Sequence, residues 1–238
     1  MNHAAKQQGF TIIELVLAMT FISFLLLGIA MTVIQIGATY NRGMALREVN
    51  QQARDIGADV QRGIMSVGAI DYAADYTRTP SGLGGRLCLG SVSYIWNTEQ
   101  AFESNDAGLI WYQGDTSRAK KVHLVKVPDA SKVYCAKNGA GAFTRTEISN
   151  EEGQAQELLR EGDHSLSVYQ FALTFDPMAE DTTTQQRMYS LEYTIGAGAP
   201  SAMNTARTDC KAPGTAGADP AYCTVQQFRL VIRAGSKV

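Results

Sequence analysis

Residues 9–14 read Gly9-Phe10-Thr11-Ile12-Ile13-Glu14, and LVLAMTFISFLLLGIAMTVIQIG follows from Leu15 to Gly37. A single carboxylate near the start of this apolar run decides how the chain is read. From Ile12 to Gly37 polarity intrudes only at Glu14, Thr20, Ser23, Thr32 and Gln35. As a helix rising ~1.5 Å per residue, those residues span ~39 Å, more than a hydrocarbon core of ~30 Å. A secretory signal has an apolar core of roughly 7–15 residues with a small-residue cleavage site behind it, so this run is too long for one. A plain anchor explains the length but not Glu14, because a carboxylate inside a membrane helix is costly. Thr11-Ile12-Ile13-Glu14 also matches the Thr-x-x-Glu capping box, in which both side chains satisfy backbone donors at a helix start. The cap does not explain the Gly-Phe pair upstream, nor the short polar Met1–Gln8 segment with its one lysine, Lys6.

In these residues the chain resembles the type IV pilins and pseudopilins, whose precursors carry such a leader. The resemblance implies cleavage by a prepilin peptidase after Gly9, N-methylation of the new terminus at Phe10, and Glu14 as the assembly glutamate. Cutting at Gly9 frees an α-amino group that is largely cationic near neutral pH. A neighbouring subunit's buried Glu14 carboxylate then has a partner, and any other axial stagger leaves both charges unpaired. The implied partners are other pilins or pseudopilins in a helix bundle, the peptidase and an inner-membrane assembly platform. The implied location is single-pass in the inner membrane, with the C-terminal domain outside the cytoplasm, and then in the filament. Arg42 and Arg47 follow the apolar run while Lys6 precedes it, so flanking charge alone does not set this orientation; the leader does.

The expected organisation is a leader at 1–9, a helix at 10–68 that spans the membrane at about 12–37, and a β-rich domain at 69–238. Ala45, Val49, Ala53, Ile56, Val60, Ile64 and Val67 recur every three or four residues, the spacing of a helix stripe. Glu48, Gln52, Asp55, Asp59 and Arg62 form its polar side. A helix from Thr11 to Val67 would run ~85 Å. The first proline is Pro80, so Gly28, Gly37 and Gly43 are the weak points of the anchor, each costing up to ~1 kcal/mol against alanine. Gly68 to Gly85 reads as loop. Strand-like runs follow at Arg86–Trp96, Leu109–Tyr112, Val122–Val127, Leu166–Phe175, Met188–Ile195 and Val225–Arg233, the last with Phe228, Leu230 and Ile232 on one face. One helix laid on half-buried antiparallel strands is an α+β fold. Asn138–Gly162 and Gly196–Tyr222 read as excursions from it.

The chain has 238 residues and net charge −2; without Lys6, Lys+Arg is 20 against 23 acids. That balance argues against nucleic acid or anionic lipid as a partner. Cys88, Cys135, Cys210 and Cys223 lie beyond the membrane run, contain no Cys-x-x-Cys, and favour disulfides in an oxidising compartment. Of three connectivities, Cys210–Cys223 with Cys88–Cys135 is the preferred one because the first pair closes a short loop. No nucleophile elbow, phosphate loop or catalytic acid pair stands out, so no enzyme and no cofactor are expected. Ser81-Gly82-Leu83-Gly84-Gly85 lacks the strand–helix context of a phosphate cradle. His123 and His164 have no nucleophile to serve. Asp176, Glu180 and Asp181 are few oxygens for calcium. Lys120-Lys121 and Arg229/Arg233 sit on an acidic chain, where a solvated face outweighs DNA contact. Gln51, Arg54, Asp59 and Arg62, ending at Gly68, resemble the helix end of larger minor pilins and of J-type minor pseudopilins. The expected role is thus a minor pilin-like subunit. A minor pseudopilin of type II secretion is the alternative, and a membrane-anchored extracytoplasmic enzyme the more distant one.

Overall fold

A computed structural model of the chain describes residues 11–68, 70–149, 154–159, 165–175 and 186–234. Its first element, α1 (Ile12–Met65), is one helix of 54 residues, ~81 Å long at ~1.5 Å per residue. No proline breaks it. Its C-terminal half buries Ala45, Val49, Ala53, Ile56, Val60 and Ile64, the stripe read from the sequence, with Gly57 among them and Val67 packed at the margin.

A helical turn, α2 (Tyr72–Asp75), leads into β1 (Tyr76–Arg78), β2 (Gly84–Leu89) and β3 (Val92–Asn97). After α3 (Glu99–Glu103) come β4 (Trp111–Tyr112), β5 (Leu124–Pro128), β6 (Glu147–Ile148) and β7 (Gln156–Glu157). β8 (Leu166–Phe175), β9 (Arg187–Ala197) and β10 (Thr224–Ala234) complete the fold. The first sheet has the order β1-β2-β3-β5-β7, and the second the order β10-β9-β8; within both, neighbours are antiparallel. The fold is therefore α+β. α1 lies across β10 and β9, where Ile232 is buried and Phe228 and Leu230 pack against the core beneath the helix stripe.

Aromatic rings join the two sheets into one core. Tyr72, Tyr76, Trp96, Phe171, Tyr193 and Phe228 form a continuous series with centroids 4.6–6.3 Å apart. Such tilted and stacked pairs contribute about 0.5–1.5 kcal/mol each beyond burial. A smaller core, with Cys88, Ile95, Ile110, Val125 and Cys135, fills the other face of the first sheet.

Local chemistry overrides the sequence expectation in four places. Gly68–Gly85 is not all loop: the Asp71 carboxylate accepts from the amides of Ala73 (3.1 Å) and Ala74 (3.3 Å), which caps α2, and β1 then pairs with β2. Arg86–Trp96 is a hairpin rather than one strand. Gly90, at φ +57°, makes the turn, and both strands are buried on both faces, so no pattern break marks it. The first excursion holds β6 and β7, too short to show a period, and β6 runs parallel to β4. His123 precedes β5 instead of lying within it, and its carbonyl accepts from the Asn97 amide at 3.0 Å.

Candidate membrane anchor and assembly surface

The N-terminal half of α1 is apolar on every side. None of its most apolar stretch is buried against the protein. Ile12, Phe24 and Ile34 are each more than 70% exposed. An amphipathic helix buries one stripe on its own domain; this segment buries none, which is the surface of a helix that meets lipid or other helices. It is long and apolar enough to cross a membrane. Its hydroxyls turn inward to the backbone: Thr20 to the Leu17 carbonyl (2.9 Å), Ser23 to Met19 (2.8 Å), Thr32 to Ile29 (2.8 Å) and Thr39 to Gln35 (2.9 Å). In hydrocarbon each of these donors would otherwise go unmet. A Cβ at Gly28, Gly37 or Gly43 would meet nothing within 4 Å, so packing within the chain demands none of the three glycines.

Glu14 stands in the first turn of this half. The Thr11 amide (2.9 Å) and the Thr11 hydroxyl (2.8 Å) both donate to its Oε2, and the Glu14 amide donates to Thr11 Oγ1 at 3.3 Å. The capping box is therefore formed within the isolated chain. Glu14 is the sole charged side chain on α1 before Arg42. Gly9 and Phe10, the expected processing site, lie outside the described residues.

The helix changes character near Asn41, whose amide donates to the Tyr222 hydroxyl at 3.1 Å. Beyond it, three side chains fix α1 to the sheets. Tyr193 donates to the Ala53 carbonyl at 2.8 Å, and burial pushes its phenol pKa up to about 12, so it remains a donor. Tyr94 donates to Asp59 Oδ2 (2.8 Å), and Lys126 reaches both Asp59 oxygens (3.1 and 3.0 Å). Burial first, and then the Asp59 hydrogen bond, raise the Tyr94 pKa far above the usual phenol range. Asp59, assigned to the polar side from sequence, thus sits at the seam. The tyrosines reach the helix because the backbone there is bare: a Cβ on Gly57 would lie 2.5 Å from the Tyr193 hydroxyl, and one on Gly63 2.7 Å from that of Tyr94. Compared with protein-family models, curated proteins and solved structures, the chain matches none.

The cysteines pair as Cys88–Cys135 and Cys210–Cys223. The first ties the segment after β5 to β2; the second closes the loop before β10, where Ala202, Met203 and Cys223 form a small core. The remaining candidates scatter. In Ser81–Gly85, Gly84 opens β2 and Gly85 follows it, where a Cβ would run into the Trp96 ring, so that glycine serves packing. His123 meets the Phe102 ring edge-on, and burial lowers its pKa. Lys121 pairs with Glu99 at 2.5 Å and Arg229 with Glu192 at 3.3 Å. Among the described residues no three His, Cys, Asp or Glu side chains are grouped to hold a metal ion. His164, Asp176, Glu180 and Asp181 lie outside the described residues. The docking residues Tyr94, Tyr193 and Lys126 carry no motif; the sequence signal was Gly57 and Gly63, interior helix glycines beside the stripe.

Proposed function

We propose that this chain is a minor pilin-like subunit of a type IV pilus, held in the inner membrane by α1 and assembled through Glu14 and a processed Phe10 terminus. One observation carries the reading. A single unbroken helix is apolar on all faces along its first half, bears one carboxylate there, and docks its second half on an antiparallel β domain. A lone anchor needs hydrophobicity but no carboxylate, and a soluble domain needs neither. Helices gathered in a filament would cover the exposed apolar surface and give Glu14 a cationic partner at its neighbour's terminus. The capping box is compatible with this use, because Glu14 can cap its own helix before assembly and exchange partners within the bundle.

Two measurements test the reading. N-terminal sequencing of the extracted protein should begin at Phe10, methylated; a start at Met1 overturns it. Glu14→Gln separates cap from assembly, because glutamine also serves in the capping box but cannot neutralise a buried ammonium. Cleavage and membrane insertion of the variant should be normal, while its amount in sheared filaments, or in crosslinks to partner pilins, falls several-fold. Wild-type incorporation would mean that Glu14 is not the assembly residue.

A further inference from the structure

A cleft of about 530 Å³ lies on the globular domain, away from α1, with Trp111 on its wall. Trp111 is the first residue of β4; its amide donates to the Thr146 carbonyl at 3.0 Å, and it pairs with Glu147 of β6. The Phe102 ring packs against it edge-on, 5.5 Å between centroids, which fixes the indole plane. From the opposite loop the Arg118 guanidinium lies over the indole at 5.1 Å and donates to Asn105 Oδ1 at 3.0 Å. Asn105 (φ +47°) and Arg118 (φ +52°) are two of the four non-glycine residues with positive φ among those described. The Arg118 loop is itself braced by the Asp115 carboxylate, which accepts from the Lys120 amide at 2.8 Å and the Ser117 hydroxyl at 2.9 Å.

We infer that this cleft binds a neutral saccharide. A pyranose presents a C–H face, which suits the part of the half-buried Trp111 indole that borders the cleft beside the Arg118 guanidinium, and a rim of hydroxyls that each donate and accept. The walls offer both halves of that pattern. Arg118 and the Asn105 amide nitrogen are donors only, Glu147 is an acceptor only, Asp106 is an acceptor with one oxygen already held by the Ser81 hydroxyl, and the Thr146 hydroxyl does either. One arginine faces the acids Asp106, Asp115 and Glu147, which disfavours an anionic ligand such as a phosphate or an acidic sugar. The polar rim likewise disfavours a purely apolar one. The inference uses only the globular domain and does not depend on the filament reading.

The test uses the full chain in a detergent without a sugar headgroup. Probes are glucose, galactose, mannose, N-acetylglucosamine and their α- and β-linked di- to tetrasaccharides. Binding is read by saturation-transfer NMR and by tryptophan emission. Trp96 is 1% exposed, so a ligand-dependent emission change reports Trp111. At least one probe should bind saturably, with a Kd below about 10 mM. Trp111→Ala should weaken it at least tenfold. Asn105→Gly, which keeps the left-handed backbone accessible while removing the amide, should weaken it at least threefold with unchanged near-ultraviolet circular dichroism. No saturable binding to any probe overturns the inference, as does unchanged affinity in a folded Asn105→Gly protein, or a preference for uronic or phosphorylated sugars.

Discussion

Replacing Gly57 by alanine should destabilise the protein, against the usual rule for helices. In an open helix interior the change gains up to about 1 kcal/mol, because alanine restricts the unfolded chain and suits the helix better. Here the new methyl would stand 2.5 Å from the Tyr193 hydroxyl and 2.8 Å from Leu230 Cδ1, both buried or half-buried against α1. Something must shift. If Tyr193 retreats, its 2.8 Å hydrogen bond to the Ala53 carbonyl is lost; a buried hydroxyl left unmet costs about 1–3 kcal/mol. If the helix lifts instead, the overpacked seam costs a similar 1–3 kcal/mol. Setting the full propensity gain against either cost leaves a net loss of up to about 2 kcal/mol, or up to roughly 8 °C in Tm for a chain this size. Gly43→Ala is the internal control, since a Cβ there meets nothing within 4 Å; it should be neutral or slightly stabilising. Tyr193→Phe removes the nearest clashing atom, so adding it to Gly57→Ala should cost less than the sum of the single changes. Thermal melts of the full chain in detergent measure wild type and the four variants. A Gly57→Ala protein as stable as the Gly43→Ala control would refute the close-approach account.

Three further outcomes follow from the same geometry. Glu157 accepts from the Leu124 amide at 2.8 Å, and burial raises its pKa to about 7; an acid raised in the folded state stabilises fully below its unfolded pKa near 4.5, so stability should fall as pH climbs from about 4.5 to 7, and Glu157→Gln should flatten that slope in pH-dependent melts. Asp59→Ala leaves Lys126 and the Tyr94 hydroxyl without their partner at the seam; a loss of about 1–3 kcal/mol is expected, with faster amide exchange in the last turns of α1. The Cys88–Cys135 and Cys210–Cys223 bonds have sequence separations of 47 and 13, so chain entropy assigns about 4 and 3 kcal/mol to them; paired Cys→Ser variants should lose stability in that order in urea titrations.

What was legible in the sequence, and what was not, divides along one physical line. Where burial is periodic and continuous, the pattern of side chains reports it directly. The stripe from Ala45 to Ile64 and the alternation of Phe228, Leu230 and Ile232 are the two faces that meet between α1 and β10. The single carboxylate at Glu14 was equally plain, because nothing near it is polar enough to hide it. The β2–β3 hairpin was not legible, since two strands buried on both faces have no polar side to alternate with. The seam and the cleft were hidden for a different reason: each is assembled from residues on several separate elements. Tyr94, Tyr193 and Lys126 come from three strands, and only the bare backbone at Gly57 and Gly63 marks where two of them land. Trp111 and Arg118 are seven positions apart with no spacing rule between them; a parallel bridge to Glu147 and two left-handed residues bring the wall together. A one-dimensional pattern records which side chains leave water. It does not record which of them converge, and in this chain docking and the cleft both depend on convergence.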